Sequence, residues 1–177
     1  MRMYAGKVGP IAADMVTQLV SDGSIEPEPD MVDEVLLDIE SVLREYIRTE
    51  REITNHAREL ISKGGLEFRQ LNKLKTKIAD ERGFGIGDRA LDYLTQQIIE
   101  CLFHSRHVAE IFVEDHDLRR TMMGVLKQHL RVEEDLDQEV RKRIKNLQEG
   151  TASWEVEYNK VMEDLKRLKG LGDQAES

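Results

Sequence analysis

The sequence predicts an all-α protein built from two tandem copies of one three-helix unit, each running short, long, short and together forming a helical bundle. Three observations predict it. The 177 residues are 40% hydrophobic and 34% charged with only three prolines, a mixture suited to amphipathic helices. A heptad-like apolar seam runs through residues 32–60. The third is an internal repeat, in which Val42-Leu43-Arg44-Glu45-Tyr46-Ile47-Arg48-Thr49-Glu50 lies over Val125-Leu126-Lys127-Gln128-His129-Leu130-Arg131-Val132-Glu133 with chemical classes mostly retained.

The elements follow in order. A first helix starts at Pro10, a favourable first-turn residue, and ends near Gly23. Pro27-Glu28-Pro29 then separates it from a long helix with Asp30 as its N-cap, running through about Leu60 and stopping at Gly64-Gly65. A third helix covers Leu66 to Glu81. Arg82-Gly83-Phe84-Gly85-Ile86-Gly87 is glycine-rich and reads as the linker between copies, with Asp88 capping the next helix. The second copy repeats the series: Asp88 to Ser105, then Asp115 or Asp117 to Leu147, then a helix after Gly150. Ile25-Glu26 and Ile111-Phe112-Val113 fall in corresponding loops and suit a short β-bridge. The domains read as 1–82 for the first unit, 83–87 for the junction, 88–171 for the second unit and 172–177 for a disordered tail.

The register of the repeat holds beyond its core. Ile53 meets Leu136 and Ile61 meets Ile144, while upstream Met15, Val16 and Leu19 fall on Ile98, Ile99 and Leu102. The third helices align only after an insertion of about seven residues, which brings Leu66-Glu67-Phe68 over Val156-Glu157-Tyr158.

Charge and composition narrow the functional classes. A net charge of −9 opposes the approach of DNA, RNA or an anionic bilayer, so nucleic acid is not an expected partner. No stretch reaches the roughly 18 apolar residues needed to span a membrane, and the start of the chain lacks a signal-peptide core, so a cytoplasmic protein without membrane insertion is expected. Cys101 is the only cysteine, and its run Ile98-Ile99-Glu100-Cys101-Leu102-Phe103 suggests a buried, inert thiol. Gly83, Gly85 and Gly87 do not make a phosphate loop, because no strand precedes them and no Lys-Ser or Lys-Thr pair follows.

The long seam, Val32, Leu36, Ile39, Leu43, Tyr46, Glu50, Ile53, Ala57 and Leu60, carries one charge, and its counterpart in the second copy is Glu133. Arg48 and Arg131 precede the two glutamates, so Arg48, Glu50, Arg131 and Glu133 are the candidate interaction residues. A glutamate in this place sets register at the seam's edge, solvated or paired with arginine. Alternatively, Glu50 and Glu133 meet in the bundle and, with His104 and His107, offer a metal site. His104, His107, Glu110 and Glu114 show helical spacings, yet the repeated Glu-x-x-His pattern of helical carboxylate proteins is absent. Arg69, Lys73, Lys75 and Lys77, and later Lys142, Arg143 and Lys145, give basic faces that read as solvated surface or, alternatively, as nucleic-acid contacts.

Several features together resemble the bacterial family of domain of unknown function 507: Met1-Arg2-Met3 ahead of a short helix, Arg48-Thr49-Glu50-Arg51-Glu52 in the long one, Glu81-Arg82-Gly83-Phe84, and Ser153-Trp154-Glu155-Val156 with Tyr158. The resemblance implies a tandem member and carries no activity, substrate or cofactor. The functional expectation is therefore a non-enzymatic helical interaction or adaptor module, with a protein partner or self-association and no cofactor. A metal-binding helical bundle is the alternative from another class.

Overall fold

The computed structural model describes residues 3–169, so the tail at 172–177 lies outside the described residues. Its helices are α1 (Val8–Ser21), α2 (Val32–Gly64), α3 (Leu71–Glu81), α4 (Ala90–His104), α5 (Asp115–Arg143) and α6 (Ala152–Leu168). Two short strands, β1 (Ile25–Pro27) and β2 (Val108–Ile111), pair antiparallel with Ile25 opposite Ile111. The chain is all-α apart from this small sheet. Its order is helix, strand, long helix, helix, and then the same order again.

Local chemistry accounts for the end of α2 and the start of α6, and two caps differ from expectation. Gly65 takes a left-handed φ of 63° after α2, and the Leu66 N–H reaches back to the Ile61 carbonyl, closing the helix where the Gly-Gly pair predicts. Asp30 is not the N-cap of α2. It sits at φ 61°, a conformation its short polar side chain tolerates, and Met31 occupies the cap position without a side-chain hydrogen bond. Asp88 does not cap α4 either, because a 3₁₀ turn over Gly87–Arg89 intervenes and the helix begins at Ala90. By contrast, Thr151 accepts a hydrogen bond from the Trp154 N–H and starts α6 cleanly. The fifth helix stops at Arg143, four residues short of Leu147.

Two compact units divide the chain, Met3–His129 and the segment from Leu130 onward. In the first, α2 packs against α1, α3 and α4. The core is aliphatic, with Ile11, Met15, Leu19, Ile39, Leu43, Ile53, Leu94, Ile98 and Leu102 fully buried. The seam predicted on α2 shifts at its ends. Val32 and Leu60 are exposed, and Val35 and Ile61 are buried instead, because the straight helix drifts relative to a strict seven-residue repeat.

The buried positions of the two long helices keep one register. Val35, Ile39, Leu43, Ile53, Ala57 and Ile61 are buried in α2, and so are Leu118, Met122, Leu126, Leu136 and Val140 in α5 with Ile144 just beyond it, each 83 positions later. Within the first unit, Arg119 of α5 donates to Thr95 Oγ1 at 3.0 Å and to Gln96 Oε1 at 2.6 Å, and His129 meets Asp14 at 2.5 Å.

The glycine-rich segment is more than a linker. Phe84 and Gly85 are buried, and the Phe84 ring stacks on Tyr46 and lies tilted by 60° against Tyr93, with ring centroids 4.8 Å apart in each case. Gly83 at φ 65° supplies the turn that lets the Phe84 N–H bond the Ala79 carbonyl at 2.9 Å. A Cβ on Gly85 would lie 2.5 Å from the Tyr93 Cβ and 2.7 Å from the Arg89 carbonyl oxygen. The sequence between α3 and α4 thus plugs the first unit.

The second unit is a smaller hairpin of the end of α5 and α6. Trp154 stacks on Tyr158 at 4.8 Å, and the Arg141 guanidinium lies over the Trp154 ring at 5.3 Å. The Tyr158 hydroxyl donates to Asp137 at 2.5 Å, while Arg141 bridges Asp137 and Glu149, which raises its pKa further.

Candidate interaction surface

The sheet gathers the ends of four helices. β1 belongs to the connection from α1 to α2, and β2 to the connection from α4 to α5, so their pairing brings these connections to one end of the first unit. Apolar side chains at this end are left in solvent. Phe103, in the last turn of α4, is 53% exposed, and Phe112, just past β2, is 56% exposed. Met31 and Val32 at the start of α2, Leu37 a little further along it and Val20 in the last turn of α1 are also exposed. Keeping such side chains in water forfeits roughly 1.5–3 kcal/mol each relative to burial.

A polar latch fixes the connection from α4 to β2, which lies between the two phenylalanines. Asp38 of α2 accepts a hydrogen bond from Ser105 Oγ at 2.5 Å and from His107 Nδ1 at 2.9 Å. The His107 N–H donates to Ser105 Oγ at 3.1 Å, and the Glu28 N–H donates to the His107 carbonyl at 2.7 Å. Cys101 points its thiol at the Asp38 carbonyl, 3.7 Å away. It is half-buried rather than fully buried, and burial together with the Asp38 charge raises its pKa, so the unreactive thiol form is favoured. One carboxylate thus holds the end of α4 and the start of β2 against α2.

The strand edges are poor templates for a further strand. Both strands are short, the pairing is irregular between Glu26 and Pro27, Pro27 has no N–H, and Glu110 is exposed.

The residues singled out in the sequence are distributed as follows. Arg48 is exposed and bridges two neighbours on α2, donating through Nε to Glu45 at 2.9 Å and through Nη1 to Glu52 at 2.5 Å. This holds the Glu45 carboxyl below its ordinary pKa. Glu50 is half-buried on the same helix, and its carbonyl accepts from Thr54 Oγ1 at 2.9 Å. Glu133 is buried, with the Lys166 ammonium 3.6 Å from its Oε1, and Arg131 is exposed nearby in sequence. Glu50 and Glu133 belong to different compact units.

His104 is exposed, with Nδ1 2.7 Å from the Glu100 carbonyl of its own helix, whereas His107 belongs to the latch. The helical spacing of His104, His107, Glu110 and Glu114 does not place them on one helix, because α4 ends at His104 and β2 takes Val108–Ile111. Among the described residues, no three or more His, Cys, Asp or Glu side chains converge in a group able to hold a metal ion.

Sequence reasoning did not single out Asp38, Ser105, Phe103 or Phe112 as functional. Phe103 lies four residues after the buried Ile99, so periodicity alone assigns it to the core. The end of α4 one residue later is what leaves it outside.

The family follows from the whole length of the chain. A family model described as protein of unknown function (DUF507) matches residues 1–171. The chain belongs to the DUF507 family. No curated protein matches it. The DUF507 match covers both compact units, Met3–His129 and the hairpin that follows, so membership is a property of nearly the whole sequence. Among the described residues, no helix of this DUF507 chain is long and apolar enough to cross a membrane.

Proposed function

We propose that this protein is a non-enzymatic interaction module that docks a protein partner at the sheet end of its first unit. The observation that carries the reading is the pair Phe103 and Phe112, each more than half exposed, on either side of a strand held by the Asp38 latch. Two aromatic side chains that flank a hydrogen-bonded connection lose little backbone entropy on binding, which is what an anchor in an interface requires. Met31, Val32 and Leu37 extend the apolar area at the same end.

We further read the chain as a duplication of a three-helix unit, 1–82 and 88–171 about a junction at 83–87. The matched burial of α2 and the α5 segment at a spacing of 83 supports that reading. Nucleic-acid binding through the α3 lysines is the weaker alternative. Lys73 and Lys77 are exposed, but Arg69 is paired with Glu67 and the chain carries −9.

The test is affinity purification from the native cell, with light scattering on the purified protein, comparing wild type with Phe103→Ser/Phe112→Ser. Both sites are surface positions, so the double variant keeps its circular dichroism spectrum. Wild type is expected to retain a reproducible partner or to self-associate, and the variant to lose it. A wild-type protein that is monomeric and brings down nothing reproducible, or a variant that behaves identically, sinks the proposal.

A further inference from the structure

We propose that the cleft between α2 and α4, roofed by the glycine-rich segment, binds a small organic ammonium cation. The cleft has a volume of about 360 Å³, at the lower end of small-molecule sites. Ser41, Glu45 and Thr49 line it from α2 at spacings of four, so they share one face of that helix. Tyr93 and Gln97 line it from α4, again four apart, and Phe84 contributes from the roof. Its surface is divided between aromatic and aliphatic area and neutral hydrogen-bonding groups, with Glu45 the one charged side chain in the lining.

Three features favour a cation. Tyr46, Phe84 and Tyr93 form a contiguous aromatic cluster along the cleft, in which Tyr46 and Phe84 cover each other and Tyr93 is the partly exposed ring whose electron-rich face can attract positive charge. Glu45 is ionised; although Arg48 contacts both its oxygens, the same guanidinium also bonds Glu52, so the three groups together carry one net negative charge. The carboxylates around the cleft also act on its phenols, secondary to burial. Tyr46 is pushed up by burial and then by Glu50, and Tyr93 by burial and then by Glu100 and Glu45. An anion would meet this field unfavourably, and a neutral aromatic would gain the stacking without the charge term. An ammonium with a compact apolar body gains both.

The experiment is a titration of the full ¹⁵N-labelled chain with benzylammonium, followed by amide shifts, with benzyl alcohol and benzoate as probes of similar size at equal ionic strength. The expected result is saturable shifts centred on Thr49, Tyr93 and Gln97 for the cation, weaker binding of the alcohol and none of benzoate. Glu45 is exposed, so Glu45→Gln folds normally, and it should weaken the cation about fivefold while leaving the alcohol unchanged. Shifts that do not saturate or that centre elsewhere would overturn the proposal. So would equal affinity for alcohol and cation, or an unchanged affinity in Glu45→Gln.

Discussion

The Tyr46 hydroxyl donates a hydrogen bond to the Gly85 carbonyl oxygen at 3.0 Å, joining the middle of the longest helix to the segment between α3 and α4. Tyr46 is nearly fully buried, and its ring stacks on Phe84, the residue before Gly85. One side chain therefore supplies both the aromatic contact and the polar partner that make the glycine-rich segment a packed element.

Replacing Tyr46 with Phe keeps the stack and leaves the Gly85 carbonyl without its donor, which should cost about 1–2 kcal/mol in denaturant unfolding. The pH dependence has a definite sign. The folded pKa of Tyr46 is raised, mainly by burial, so the native state holds the proton more tightly than the unfolded chain. Its stabilising contribution is fully present below the unfolded phenol pKa of about 10 and is lost as pH rises above that value. Tyr93 and Cys101 shift in the same direction, so the variant should retain part of the alkaline loss. The stability gap between wild type and Tyr46→Phe should narrow above pH ~10, and a gap that widens there would contradict the assignment.

Gly85→Ala tests the packing of the same segment. The added methyl meets the Tyr93 Cβ and a backbone carbonyl, neither of which is the end of a flexible side chain. A loss of about 1–3 kcal/mol is expected. Gly65→Ala is a useful comparison, since nothing lies within 4 Å there and its cost comes from the left-handed backbone alone. Thermal unfolding of both variants separates crowding from backbone strain, and a Gly85→Ala protein as stable as wild type would show that the junction is looser than described.

In the second unit, the Glu133–Lys166 pair sets up a double-mutant cycle. Glu133 is 2% exposed, so removing its partner with Lys166→Ala should destabilise the protein by about 3 kcal/mol or more. Glu133→Leu combined with Lys166→Met should recover most of that loss, because the buried charge is gone and apolar volume is kept. Trp154, the single tryptophan, stacks in this unit and gives the fluorescence signal for the measurement. Additive losses in the double variant would mean the two side chains do not act together.

Much of the helical layout was legible because helix periodicity is local. Leu43, Ile53 and Ala57 are buried as the seam requires, and Gly64-Gly65 ends α2 where expected. The two caps that differed, Asp30 and Asp88, lie beside prolines or glycines whose turns take the acidic residue out of the cap position. The proposed surface was less legible. Phe103 and Leu102 are adjacent and equally apolar, yet one is exposed and the other buried, and nothing in their own spacing separates them.

By itself the sequence determined the all-α class, the order of the helices and the aliphatic character of the core, since each depends on residue type and spacing along the chain. It pointed to the two connections that pair but set the second strand at Ile111–Val113, where the structure has Val108–Ile111. Only the tertiary structure decided that Asp38 latches Ser105 and His107, 67 and 69 positions away, and that Tyr46 reaches Gly85 across 39 residues. Such contacts depend on which helix faces meet, and that is set by the combined packing of side chains distant in sequence.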